Sequence, residues 1–234
     1  MPSEGFRGLL GPAALTGLLA LSTAVDVPTP HWPVMFVSNY TSDWKNTTGL
    51  YVIDSHRGSE VIIFEDGTRD HLCSTRHNGT KCVQLTTEGY RFHYFPDAGD
   101  CCKCCAYARG SYECGGPLSP RWVDNSTGNL VYLGVHDVKG RDCYKWNAVG
   151  LGGDFNYYYQ DKEGRPCEVD GYNYLRTPAE QADDQYIFDP RTYSENVSAE
   201  LFVVPSICKA AGYCGPPACA DGPNQERAAD ILAV

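Results

Sequence analysis

Short apolar runs punctuated by turn residues recur along the chain, and one segment alternates strictly. Across residues 89–95, Tyr90, Phe92 and Tyr94 fall on one side and Arg91 and His93 on the other. A period of two is the mark of a half-buried strand. It predicts that the aromatic side meets a core and that His93 faces solvent. Runs of strand length lie at 34–37, 50–53, 61–64 and 82–86, and farther on at 130–138, 143–146, 155–160, 167–174 and 201–204. Ser55-His56-Arg57-Gly58, Glu65-Asp66-Gly67 and Lys162-Glu163-Gly164-Arg165 supply turns between them. Residues 178–184 are polar and acidic and read as a loop or short helix, and Arg121-Trp122-Val123 reads as a helical turn. The sum is about ten strands with little helix, a mainly antiparallel all-β domain.

The alternating strand leads into Cys101-Cys102-Lys103-Cys104-Cys105, four cysteines in five positions. In an extended chain adjacent side chains point to opposite faces, so each adjacent pair reaches in two directions. Two readings compete. The cluster is a disulfide staple, joined to Cys73, Cys82, Cys114, Cys143, Cys167, Cys208, Cys214 and Cys219, or its two C-x-x-C spacings hold a metal. The compartment decides between them, because thiolates in an oxidising lumen become disulfides.

The N-terminus addresses the compartment. An apolar run at 9–21 follows Arg7 and ends in Ser22-Thr23-Ala24, the layout of a signal peptide over residues 1–24. A membrane anchor is the alternative, but the run is short and Gly11, Pro12 and Gly17 interrupt it. Five glycosylation sequons, at Asn39, Asn46, Asn78, Asn125 and Asn196, fit the same secretory route. The expected mature product is therefore one secreted domain, 25–234, with a cysteine-rich tail from about 205. All twelve cysteines lie in it, an even number that permits full pairing. Cys73 and Cys82, bracketing the Asn78-Gly79 turn, are the expected local pair.

Charge and composition narrow the function. A net charge of −10 leaves no basic stripe for nucleic acid. No later stretch is long and apolar enough to span a bilayer. Sixteen tyrosines against two methionines favour pleated surfaces. Nucleophile, metalloprotease, calcium-loop and phosphate-loop motifs are absent, and Gly150-Leu151-Gly152-Gly153 lacks the flanking strand and helix of a dinucleotide loop. No enzyme activity, cofactor or metal is expected.

From Gly116-Pro117-Leu118-Ser119-Pro120-Arg121-Trp122-Val123 onward a familiar order unfolds. Tyr132-Leu133-Gly134, Cys143-Tyr144-Lys145-Trp146, Tyr157-Tyr158-Tyr159 and Arg165-Pro166 follow in turn. This order over residues 90–175 resembles the ependymin-like secreted proteins, particularly their plant and algal relatives. The resemblance implies two antiparallel sheets curved into a half-barrel or sandwich around an apolar hollow that takes a lipid or another hydrophobic molecule. The doubled cysteine cluster and the cysteine-rich tail depart from that pattern, and no calcium motif maps onto this chain.

Tyr90, Phe92, Tyr94, Phe155, Tyr157 and Tyr159 are candidates to line such a hollow, with Trp146 and Tyr172 near them. The plain alternative is that they fill a core, although each buried tyrosine hydroxyl needs a partner that phenylalanine would not. Binding of a hydrophobic ligand is the first functional reading. A matrix or adhesion component acting through its surface is the second, and a redox or metal protein built on the cysteine cluster the third.

Overall fold

Eleven strands form in chain order: β1 (Met35–Ser42), β2 (Thr47–Asp54), β3 (Ser59–Phe64), β4 (Cys82–Thr87), β5 (Tyr90–Phe95), β6 (Asp100–Ala106), β7 (Leu130–Val138), β8 (Arg141–Val149), β9 (Phe155–Gln160), β10 (Pro166–Gly171) and β11 (Asp184–Phe188). The structure is a computed structural model that describes residues 27–70, 72–106, 117–123, 130–149, 155–171 and 184–215. The predicted leader, Cys114, Asn125, Tyr172 and Cys219 lie outside these residues, as do the side chains of Cys105 and Phe155.

The strands join in one antiparallel sheet, ordered β6-β5-β4-β3-β2-β1-β11-β10-β9-β8-β7. Each half is a meander whose neighbours in sequence are neighbours in space. Glu88-Gly89 and Lys139-Gly140 each place two consecutive residues at positive φ, the conformation that lets a two-residue turn follow the twist of a hairpin. The halves meet where β1 pairs with β11, Tyr40 opposite Phe188 and Thr41 opposite Ile187. The expected antiparallel all-β class, with little helix, is what forms, as one continuous curled sheet.

Two local expectations change. Residues 184–188, which begin at the last residue of the expected acidic segment, are the strand that joins the halves. Residues 201–204 are not a strand: a 3-10 turn at Ala199–Phe202 precedes helix α1 (Ser206–Lys209). The cysteine cluster is itself an edge strand, β6.

The curl follows from ring contacts. Four strand spacings of about 4.8 Å separate β2 from β9, about 19 Å across a flat sheet. Yet the Trp32 ring lies 6.1 Å from Tyr51 of β2 and 5.7 Å from Tyr158 of β9, so those two rings are at most about 12 Å apart. The sheet therefore wraps around Trp32, and that side is its inner face. Because β6 and β7 are opposite edges, the chain must travel the whole width of the sheet between them, and residues 117–123 of that connection pack on the inner face.

The two edges differ. Along β6, the Lys103 N–H donates to the Gly212 carbonyl at 2.9 Å and the Cys214 N–H donates to the Lys103 carbonyl at 3.0 Å. Disulfides Cys101–Cys208 and Cys102–Cys214 fasten the same segment. The adjacent cysteines reach opposite faces, as the extended geometry requires, but both hold one C-terminal strap. Edge strand β7 is open by comparison: Val131, Leu133 and Val135 are 50, 44 and 50% exposed.

Candidate functional site

The inner face carries a ring cluster continuous from the centre of the sheet to the β7 edge. Trp32, brought in by the proline-rich lead-in, is fully buried and touches Phe36, Tyr51, Trp122, Tyr158 and Phe188. Its position is fixed by β9. The Tyr158 hydroxyl donates to the His31 carbonyl, the His31 N–H donates to Gln160 Oε1 at 2.7 Å, and Gln160 Nε2 donates to the Thr29 carbonyl at 3.3 Å. Leu118, Trp122 and Val123 pack into the same cluster. The centre of the hollow is thus occupied by the protein's own side chains.

Toward β7 the filling thins. Trp146 stacks on Tyr158 with ring centres 6.0 Å apart, and Tyr132 lies 5.8 Å from Trp146 and 6.4 Å from Tyr144. Tyr132 is 37% exposed. Val135, paired with Tyr144, belongs to the same face. A bulge between Tyr132 and Gly134 interrupts the β7–β8 register, the local device that bends a strand and re-aims its side chains at a sheet edge. The outcome is a half-open aromatic shelf, made of Tyr132, Val135 and Tyr144, that runs inward to buried Trp146.

No protein-family model matches the chain, and no curated protein sequence matches it. Among solved structures, an uncharacterized conserved protein from Thermus thermophilus aligns with a TM-score of 0.45 at 12% identity, over 76% of this chain and 89% of that one. MucB aligns with a TM-score of 0.29 at 10% identity, over 74% of this chain and 58% of its own. A DUF1329 family protein from Desulfovibrio piger aligns with a TM-score of 0.26 at 17% identity, over 61% of this chain and 66% of its own. The functional reading therefore rests on this chain's own residues.

Charged groups are also buried on the inner face. Lys45 pairs with Asp70 at 2.6 Å and Asp184 at 2.7 Å, and Gln84 Nε2 donates to Asp70 at 3.0 Å. Burial pulls the Lys45 ammonium down, but Asp184 and Asp70 more than offset it and hold the group above its ordinary value. Glu60 is the second such group. It accepts from the Tyr51 hydroxyl and from the backbone N–H of Leu118, and Arg91 faces it from β5. Burial nevertheless pushes its carboxyl up to about 7. The bond to Leu118 ties the crossing segment to β3.

The sequence-predicted liners divide between the faces. Trp146 is buried on the inner face. Phe92 packs on the outer face with Tyr90 and Tyr94 against Val52, Val61, Leu85, Phe202, Val204 and the Cys101–Cys208 region. Tyr157 and Tyr159 are also on the outer face, beside Val138, Ile187, Cys143 and Cys167. The alternation of β5 holds, but its polar side is the one turned inward: His93 is fully buried, not solvated, and its Nε2 lies 3.8 Å from Cys104 Sγ. Tyr158, Trp32, Trp122, Tyr132 and Tyr144 are inner-face residues outside the predicted set, as are Phe36, Tyr51, Tyr186 and Phe188. Trp122, Tyr132, Tyr144 and Tyr158 stand within the motif order that runs from 116 to 166, which was the available signal.

Outer-face Tyr157 and Tyr159 frame a polar cluster. Lys145 Nζ sits 4.0 and 4.9 Å from their ring centres, Tyr159 donates to Asp170 Oδ2 at 3.2 Å, and Gln185 Nε2 donates to Glu168 Oε1 at 2.8 Å. Burial first, and then the neighbouring Asp170 carboxylate, push Glu168 up to about 8.

The cysteines pair as Cys73–Cys82, Cys101–Cys208, Cys102–Cys214 and Cys143–Cys167, and Cys104 is also disulfide-bonded. The expected Cys73–Cys82 pair is among them. His93, Cys104 and Cys214 bring ligand atoms within 4.8 Å of one another. Both sulfurs are engaged in disulfides, so this group lacks the thiolates a metal takes.

Proposed function

We propose that the protein is an extracellular binding protein of the ependymin-like kind that takes up a hydrophobic small molecule or lipid on its inner face. The half-open shelf carries this reading: Tyr132 is 37% and Val135 50% exposed on a face that is otherwise a buried aromatic cluster. Exposed aromatic surface continuous with a core is how a concave site offers apolar contact without collapsing on itself. The motif order shared with ependymin-like proteins supports the reading, since its Trp122, Tyr132, Tyr144, Trp146 and Tyr158 all belong to this face. Secretion is supported by the disulfide staples and by the exposed asparagines of four sequons, Asn39, Asn46, Asn78 and Asn196. Asn39, Asn46 and Asn78 belong to the β1–β4 half and Asn196 to the segment after β11, so glycans there leave the shelf on β7 and β8 open.

Binding of the neutral fluorescent probe N-phenyl-1-naphthylamine, with native mass spectrometry of the purified protein, tests the proposal. We expect saturable binding that weakens about tenfold in Tyr132→Ala, the size of one lost aromatic contact. No saturable binding, or binding indifferent to Tyr132, overturns it.

A further inference from the structure

Two groups at the centre of the inner face are chemically unfinished. The indole N–H of Trp32 and that of Trp122 are both buried and meet no hydrogen-bond acceptor among the described residues. Trp32 is fully buried, and its ring lies 5.6 Å from that of Trp122. A buried donor without an acceptor carries its desolvation penalty uncompensated. Native interiors almost always avoid this, and each exception calls for a partner or a reason: a functional role, a bound ligand, an ordered water or local strain. The edge-on geometry of the pair, 75° between planes, lets an N–H face a neighbouring ring, but that contact is second-order and does not replace an acceptor.

These donors stand at the inner end of the shelf. Trp122 is 5.5 Å from Tyr158, which stacks on Trp146, which touches Tyr132. The segment bearing Trp122 is lightly attached. Among the described residues, the hydrogen bonds within 117–123 and from them to the sheet are the Trp122 N–H to the Ser119 carbonyl, the Arg121 N–H to Ser119 Oγ, and the Leu118 N–H to Glu60. Only the last reaches a strand. A ligand entering over the shelf meets a part of the core that, among the described residues, one hydrogen bond and apolar packing tie to the sheet.

We propose that the ligand is amphipathic with an uncharged hydrogen-bond-accepting head, such as a ketone, ester or amide carbonyl. The indole N–H groups of Trp32 and Trp122 receive that head, and the apolar body lies along Trp146, Tyr144 and Tyr132. The inference rests on the binding function proposed above and adds the class of ligand. The absence of charge follows from the surroundings. On this face Lys45 is already held by Asp70 and Asp184, and Arg91 faces Glu60. An anionic head would enter a buried site beside the Glu60 carboxyl, where Lys45 and Arg91 are already engaged with carboxylates, which is costly.

Displacement of N-phenyl-1-naphthylamine by 2-decanone, decanoate and decane at pH 8 tests the inference on the wild type, Trp32→Phe and Trp122→Phe. Phenylalanine keeps an aromatic ring and removes the donor. We expect each substitution to weaken 2-decanone by about five- to tenfold more than it weakens decane, the effect of one hydrogen bond. Decanoate is expected to be the weaker of the two oxygenated ligands on the wild type. Trp122, the less buried indole, serves if Trp32→Phe does not fold, and retained saturable binding of the probe certifies the pocket. Variants that weaken ketone and alkane alike, or neither, overturn the acceptor role while leaving hydrophobic binding intact. A wild type that binds decanoate more tightly than the ketone overturns the uncharged head. Failure of the wild type to bind the probe or any of the three removes the binding function and this inference together.

Discussion

Replacing Glu60 by Gln isolates a single buried proton. The carboxyl lies beneath the crossing segment, and burial raises it from an ordinary 4.5 to about 7. At about 1.4 kcal/mol per pH unit, that displacement corresponds to about 3 kcal/mol between the protonated and ionised folded states. The sign is set by which state holds the proton. Between pH 4.5 and about 7 the folded chain keeps a proton that the unfolded chain has released, so stability falls as pH rises through this window. Above about 7 the full penalty is present, softened by the Tyr51 hydroxyl, the Leu118 N–H and the Arg91 charge. The side chain introduced by Glu60→Gln is uncharged throughout and retains an oxygen for Leu118. Urea denaturation of both proteins at half-unit intervals from pH 5 to 9 reads the effect, and other buried acids such as Glu168 cancel in the difference. We expect the variant to lie within about 1 kcal/mol of wild type at pH 5 and to exceed it by about 2–3 kcal/mol at pH 8. A difference that is the same at both ends would show that Glu60 does not carry a raised pKa, and would refute the reasoning.

Further outcomes follow from the same inner face. Lys45→Met leaves Asp70, 1% exposed, without its cation, and should cost about 3–5 kcal/mol in urea denaturation. The double variant with Asp70→Asn should recover part of that loss. At Gly49 an added Cβ would sit 1.7 Å from the Ile63 carbonyl oxygen, with Tyr40 behind it at 2.9 Å. Both obstacles are fixed by the bond from the Tyr40 hydroxyl to that carbonyl, so Gly49→Ala should destabilise by about 1–3 kcal/mol, visible as a lowered Tm.

Strand positions were largely legible because a period of two is a local property, and the Cys73–Cys82 closure was legible because a turn lies between the partners. The inward side was not. In β9 three consecutive tyrosines, Tyr157, Tyr158 and Tyr159, put aromatic surface on both faces, and only the curl of the sheet makes Tyr158 the inner one. In β5 the alternation correctly separates two sides, but burial of His93 depends on β6 and its cysteines, which lie across the pairing and not along the chain. β11 escaped because its five residues begin with Asp184 and Gln185 after an acidic run. Its strand character comes from being paired on both sides, by β1 and β10. The importance of Trp122 follows from topology alone: a connection between opposite edges has to pass somewhere, and here it passes through the centre of the curl.

The C-terminal strap has a consequence for how this sheet can grow. A ribbon of strands has two ends at which backbone groups invite another strand, and one of these is occupied by residues 212–214, locked there by Cys101–Cys208 and Cys102–Cys214. With Lys103 at the middle of that edge already paired to the strap, a further strand is obstructed there, so strand addition between copies is expected at β7, where it closes as a pair. Reducing the two rivets would unseal it, converting a self-limiting surface into a polymerising one.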